Sequence, residues 1–445
     1  MNAISNQSPV SVRQLAAEYA KLRYFTKPDA HTIPQLARLS SQRLLEMEII
    51  SQVFAFRAND YVVNELIDWT APLEDPIFRM VFPFREMLSE RHYKAVEDCL
   101  ASASTRDHLR NVVSQIRHEL NPHPAGQMTT NVPMLNGEFV NGLQHKYEQT
   151  LLFFPSEGQT CHSFCSFCFR WPQFVREPDY RIALRDAEQL KRYVGQHPEI
   201  TDLLITGGDA FSIKASRLNF YLSMLDEPAG RHIETVRFGT KALSWWPDRF
   251  LGAADADDLL ELIKRIRARG RQVAIMAHYN HPRELETRSA EAAIQRLQAA
   301  GATIRGQGPM LRGVNDDPET WANLWRLQNK LGIVPYYVFV PRDTGSHSAF
   351  DVPLGQAHAI YSAAAQRLSG LSRVARGPIM SAAPGKVEIL GRVRLGAEDV
   401  FALRLVQARQ ATDAFIPFFA KYDKNAVWFD DLEPIPGGWW PTPLT

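Results

Sequence analysis

At 445 residues the chain is long enough for one large domain or two smaller ones with a core that excludes water, so its stability needs no disulfide staples. Lys and Arg number 50 against 49 Asp and Glu, with the signs interspersed, which excludes the electrostatic footprint of a nucleic-acid or anionic-membrane binder and points to a small ligand. No stretch approaches the roughly 20 apolar residues of a membrane span, and no basic segment followed by an apolar run opens the chain, so a cytoplasmic protein is expected. In that reducing compartment clustered cysteines signal metal binding or catalysis more often than disulfides.

Residues 1–119 read as a helical domain, because runs such as "RQLAAEYAKLRYF", "RLLEMEIISQVFAF" and "RDHLRNVVSQIRHEL" repeat apolar residues at three and four spacing. Residues 120–146, rich in Pro, Gly and Asn, read as a linker or strap. From 147 to 370 short β-rich runs alternate with amphipathic ones. Strands are expected at "TLLFF", "DLLIT", "ETVRFGT", "QVAIMAH", "ATIRGQ" and "VPYYVFV", with helices such as "DAEQLKRYV", "DDLLELIKRIRARG" and "AEAAIQRLQAAG" between them. Six successive βα units imply a parallel sheet curled into a barrel or part of one, an α/β fold of the partial (β/α)6 kind. Residues 371–445 form a C-terminal extension with further strand-like runs and no evident domain of their own.

A barrel enzyme places its chemistry after the C-terminal ends of its strands. In that position stand a cysteine loop, then "GGDA", "GTKALSWWPDR", "HYNH", "GQGPMLRGVND" and "PRDTGSH". The cysteine loop, "TCHSFCSFCFRWPQF", gathers Cys161, Cys165 and Cys168 within eight residues, and the one other cysteine is Cys99. Structural zinc asks for four ligands and disulfides for pairs. A [4Fe–4S] cube held by three thiolates leaves one iron open to a ligand that is not protein, which suits this spacing. A zinc site completed by His162 or a distant residue, and a chance group of buried thiols, are the competing readings.

The CxxxCxxC spacing, with Phe167 before the third cysteine, resembles the signature of the radical S-adenosylmethionine (radical SAM) superfamily. The resemblance implies that the open iron chelates S-adenosylmethionine and that reductive cleavage yields a 5′-deoxyadenosyl radical. Gly207, Gly208 and Asp209 match the glycine-glycine-acid motif that meets the methionyl ammonium, and glycine permits such close approach. Further along, "CFR", "TGGDA", "RFGTK", "HYNHP", "LRGVND", "PYY" and "PGK" occur in the order found in the lysine 2,3-aminomutase family, over roughly residues 75 to 390. That likeness implies pyridoxal 5′-phosphate (PLP) as a further cofactor, an amino acid substrate, an electron donor such as a flavodoxin or ferredoxin, and a 1,2-amino shift. It carries Lys386 over as the lysine that bonds the coenzyme. Arg170 would meet the substrate carboxylate, a bidentate task suited to guanidinium. His278 and Gln307 would lie near S-adenosylmethionine, and Asp316 would be one of two acids for a distal ammonium. Capping the helix at "DPETWANLW" is the alternative task for Asp316.

Four positions depart from that family. The glycine run before the coenzyme lysine is reduced to Gly385, the second acid is replaced by Ala382, an arginine before the first strand is replaced by Thr150, and the zinc cysteines of some members have no counterpart. Losing one carboxylate leaves a distal ammonium poorly neutralised, so a substrate other than lysine is expected. An amino acid 2,3-aminomutase leads the readings. A PLP-independent radical SAM enzyme on the same scaffold follows, then a non-catalytic iron-sulfur or zinc protein. Homo-oligomerisation is left open.

Overall fold

The computed structural model describes residues 21–102, 105–120, 126–175 and 180–441. Its N-terminal part is helical where the apolar period is helical. α1 (Ser41–Val53) buries Met47, Ile49, Ile50 and Val53 and starts at Ser40, whose hydroxyl accepts from the Arg43 amide, satisfying a first-turn donor. α2 (Pro76–Val81), α3 (Glu90–Ala101) and α4 (Arg106–Glu119) are capped in the same way by Asp75, Ser89 and Thr105. Ile50, Phe78, Phe82, Val96 and Ile116 meet in their common core. The helix expected at residues 13–25 falls mostly outside the described residues. Its described end differs: Tyr24–Thr26 is a strand, β1, paired antiparallel with β2 (Arg57–Asn59), in keeping with the strand preference of a Tyr-Phe-Thr run.

The strap carries a small hairpin of β3 (Met134–Leu135) and β4 (Glu138–Phe139). After it, β5 (Leu143–Tyr147) pairs antiparallel with β6 (Thr150–Phe153). From β6 the strands run parallel in sequence order: β7 (Asp202–Ile205), β8 (Thr235–Thr240), β9 (Gln272–His278), β10 (Thr303–Pro309) and β11 (Val334–Phe339). All six expected strands are present. Between them lie α5 (Ala187–Gln196), α6 (Ala215–Leu222), α7 (Ala256–Ala268), α8 (Arg288–Ala299) and α9 (Pro318–Lys330). Alternate strand residues, among them Leu151, Phe153, Leu203, Ile205, Val236, Phe238, Val273 and Ile275, pack outward against Leu218, Ile263, Ile294 and Trp325 of these helices. The period of two turns Leu152, Asp202, Arg237, His278, Arg305, Gln307 and Tyr337 to the opposite, inner face.

The tail is part of the same sheet. After α10 (Leu354–Gln366), β12 (Arg376–Ser381) pairs parallel with β11, and β13 (Gly385–Leu395), β14 (Glu398–Ala408) and β15 (Pro417–Lys421) follow antiparallel. The parallel run therefore has a seventh strand, which the sequence reading counted among the strand-like runs of the C-terminal extension and not in the barrel. The result is an α/β partial barrel, eleven strands in order with β5 and β15 at its edges. Among the described residues no helix is long and apolar enough to cross a membrane.

Candidate active site

The cysteine loop leaves β6 and is held from outside by the N-terminal domain. Phe164 N donates to Arg57 O at 2.9 Å and Ser166 N to Met80 O at 2.8 Å. The Arg57 guanidinium donates to Thr160 Oγ1 at 2.6 Å and Cys161 O at 3.1 Å and stacks over Phe164. Asn59, fully buried, donates to His162 O and to Trp245 O. Neither residue was singled out in the sequence, since a lone Arg or Asn in a helical domain carries no motif.

The three loop thiols lie within electrostatic reach of one another. Burial, and then the neighbouring acid and thiols, push Cys161 well above the usual thiol range, and burial with Cys165 pushes Cys168 up to about 12. Thiols raised in this way need a strong cationic partner to ionise, which iron supplies. Among the described residues no three His, Cys, Asp or Glu side chains gather closely enough to share one ion. Three thiols within electrostatic reach of one another in one short loop are a donor set that suits a [4Fe–4S] cluster. Cys99 is apart from them, buried in α3.

After β7, Gly207 (φ +154°) and Gly208 lie against residues 158–160. A Cβ on Gly208 would come 2.2 Å from Thr160 O, so only glycine allows this approach. Asp209 is 1% exposed. Its carboxylate accepts from Phe211 N at 2.8 Å, Lys241 N at 2.7 Å and the Thr240 hydroxyl at 2.8 Å. Three protein donors thus occupy the carboxylate expected to meet an ammonium, and they order the loop after β8. The carbonyls of Gly207 and Gly208 accept nothing among the described residues, and they are the acceptors left for a cationic ligand.

His278 and Gln307 are register partners on β9 and β10. The His278 ring stands edge-on to Phe167 of the cysteine loop at 5.8 Å. Burial, reinforced by Lys241, depresses its pKa well below the ordinary value, so it is neutral, and its buried Nε2 has no hydrogen-bond partner among the described residues. Lys241, also unforeseen, pairs with Glu284 and donates to Asn280 Oδ1 and His278 O, which binds "RFGTK" to "HYNHP" as one structural unit.

Arg170 lies over Phe154 at 4.3 Å and Phe169 at 5.0 Å. Burial and the nearby Arg342 lower its pKa to about 9, and its Nη1 is buried without a partner. Lys386, at the start of β13, donates to Gln407 Oε1 at 2.9 Å and faces Tyr337 and Tyr147. Burial, then Arg237, lowers its pKa to about 7, with Asp202 opposing. Asp316 lies in the loop after β10, within electrostatic reach of Arg79. Its Oδ1 accepts from Gly313 N at 2.9 Å, and the helix cap is its neighbour Asp317, which accepts from Thr320 N. Ala382 packs with Met380, Val387 and Leu405 in a separate apolar cluster, and Thr150 is buried at the start of β6.

A parallel-rich partial barrel with a three-cysteine loop after its first parallel strand defines the radical SAM class of enzyme. The chain is 33% identical over 387 residues to a lysine 2,3-aminomutase-like protein of Aquifex aeolicus (strain VF5), covering 87% of this chain and 90% of that one. It belongs to the lysine 2,3-aminomutase family of radical SAM enzymes. It is also 30% identical over 179 residues to glutamate 2,3-aminomutase of Clostridioides difficile (strain 630), covering 40% of this chain and 39% of that one. With L-lysine 2,3-aminomutase of Clostridium subterminale it shares 28% identity over 200 residues, 45% of this chain and 44% of that one. Among solved structures, a radical SAM methyltransferase from Sphaerobacter thermophilus is similar at TM-score 0.31 and 15% identity, over 65% of this chain and 94% of that one. No protein-family model matches the chain. Membership implies S-adenosylmethionine and a [4Fe–4S] cluster.

Proposed function

We propose that this enzyme is a PLP-dependent amino acid 2,3-aminomutase whose substrate is not lysine. The observation that carries the reading is the placement of Lys386. Its amine is enclosed at the inner face, within electrostatic reach of Arg342, which also reaches Arg170 two residues past Cys168. Cluster loop, carboxylate-binding guanidinium and a low-pKa amine thus serve one interior.

Bound there, the cluster with S-adenosylmethionine would supply hydrogen abstraction, and the coenzyme would supply stabilisation of the migrating amino group. The chain's own residues have simpler tasks. Cys161, Cys165 and Cys168 hold the cluster. Arg170 fixes the substrate carboxylate, and its guanidinium is already desolvated and unpaired for that task. With its pKa lowered to about 7, a large share of Lys386 is the free amine near neutral pH, as a nucleophile must be, and Gln407 fixes its direction. Tyr337 and Tyr147, both buried, exclude water around Lys386. A low-potential donor of the flavodoxin or ferredoxin kind reduces the cluster in the cell.

Asp316 spends its Oδ1 on Gly313 N, and Ala382, standing where the family has its second acid, packs into an apolar cluster. This supports a substrate other than lysine. One observation favours the PLP-independent alternative: Thr150 stands where the family has an arginine for the coenzyme phosphate. Anaerobic reconstitution followed by a panel of amino acids tests the proposal, together with PLP absorbance and borohydride fixation. Formation of 5′-deoxyadenosine, a β-amino acid product and label on Lys386 are expected. Label on scattered lysines, with none on Lys386, selects the PLP-independent enzyme, and no cleavage of S-adenosylmethionine rejects both.

A further inference from the structure

Four basic side chains lie around two aromatic rings, the buried Tyr147 and the exposed Phe169. Arg170 and Arg342 each lie 5.0 Å from the centre of Phe169. Lys146 and Lys386 lie 5.5 and 5.6 Å from that of Tyr147. Arg342 is the hub, within electrostatic reach of the other three. Among the described residues none of the four forms an ion pair. The Nη1 atoms of Arg170 and Arg342 are both buried without a hydrogen-bond partner.

The surroundings do not neutralise this group. Asp343, next to Arg342, is within electrostatic reach of it but has a buried Oδ1 with no partner. Asp202 opposes Lys386, while Arg237 and Arg409 add positive charge. Lys146 donates to the carbonyl of Ala382, which fixes its ammonium without compensating it. Burial, with Arg342, Arg409 and Lys386 behind it, lowers its pKa to about 6. Half-buried basic groups with no counter-charge favour a ligand that brings one, and an anion beside Lys146 returns its amine toward the charged form. One carboxylate on Arg170 leaves Arg342 and Lys146 unmatched.

We propose that Arg342 and Lys146 form a second oxyanion site in the barrel, separate from that of Arg170. It takes either the phosphate of the coenzyme or an acidic side chain of the substrate. This rests on the reading of the barrel interior as the substrate site. Thr150 withholds the family arginine at the start of β6, and the positive charge here comes from other elements, Lys146 on β5 and Arg342 in the loop after β11.

The reconstituted enzyme with S-adenosylmethionine is titrated with two matched pairs, each differing by one anionic group: PLP against pyridoxal, and glutamate against glutamine. The wild type should prefer the anionic member of at least one pair by roughly tenfold or more. A preference in the first pair identifies the coenzyme phosphate as the source, and one in the second identifies the acidic side chain. Arg342→Gln and Lys146→Gln should each reduce that preference at least several-fold, and Arg342→Lys should keep part of it. Cluster absorbance reports that the variants are folded. Equal binding within both pairs by the wild type overturns the proposal without any variant, and so does a preference that survives both substitutions. Cleavage of S-adenosylmethionine is scored separately, so failure of the anion site is distinguishable from failure of the radical enzyme reading.

Discussion

The side-chain amide of Asn59 donates to the carbonyl of His162 at 3.0 Å and to that of Trp245 at 2.9 Å, while its Oδ1 accepts from Val62 N at 2.8 Å. One fully buried residue of the N-terminal domain therefore ties the cysteine loop to the loop after β8. With Arg57 on Thr160 and Cys161, the helical domain acts as a splint for the ligands of the cluster.

Asn59→Ala should accordingly lower stability by about 1–3 kcal/mol, because buried acceptors lose their donor. It should also speed loss of iron from reconstituted protein. Thermal unfolding and iron content against time check this. Wild-type iron retention in a destabilised variant would show that the domain is packed against the loop without ordering it.

Cys161→Ala, Cys165→Ala and Cys168→Ala should each abolish cluster assembly, since three thiolates are the minimum the cube needs. Cys99→Ala should leave it unchanged, because Cys99 lies within α3 away from the loop. Iron and sulfide analysis with visible absorbance decides it, and a full cluster in any loop variant contradicts the ligand assignment.

Asp209→Ala should do more than weaken S-adenosylmethionine binding. The carboxylate orders Phe211 N, Lys241 N and Thr240, so its removal should cost about 1–3 kcal/mol of stability and roughly tenfold or more in affinity. Lost affinity with unchanged stability would instead mean that the carboxylate contacts the ligand directly.

The parallel strands were legible because each carries its own apolar run, and the loops after them because catalytic barrels concentrate polar residues there. Cys161, Cys165 and Cys168 announced themselves by spacing. Arg57, Asn59, Lys146 and Arg342 did not, since each acts through partners more than a hundred residues away or through a charge imbalance that exists only once the strands are side by side. Ala382 was read as a lost acid at the site, and the sequence could not show that its side chain turns toward Met380 and Leu405.

That orientation makes a further outcome specific. Ala382→Asp should not restore lysine recognition, because the carboxylate would enter an apolar cluster in which Ala382 is 2% exposed. A loss of roughly 1–3 kcal/mol or more is expected from a buried polar group without partners. Chemical denaturation and lysine turnover measure the two halves, and lysine activity gained in a stable variant would reject this placement.

The amine of Lys386 supplies a test in pH. Its folded pKa of about 7 lies below the roughly 10.4 of an unfolded lysine, so the folded state binds this proton more weakly. Below about pH 7 both states are protonated and the folded protein carries the full penalty of a charge in a dry site. Between about 7 and 10.4 the unfolded chain binds more protons, so stability contributed by this group rises with pH, and above that range the penalty is gone. Lys386→Met should therefore be more stable than the wild type by a few kcal/mol at pH 6, with the gap closing toward pH 10. Urea unfolding of both proteins at the two pH values reads the difference. In parallel, borohydride trapping of PLP on the wild type should rise through pH 7 and be absent from the variant. A stability gap that is constant with pH, or trapping that rises only near pH 10, would show that the amine is solvated and would remove it as the coenzyme nucleophile.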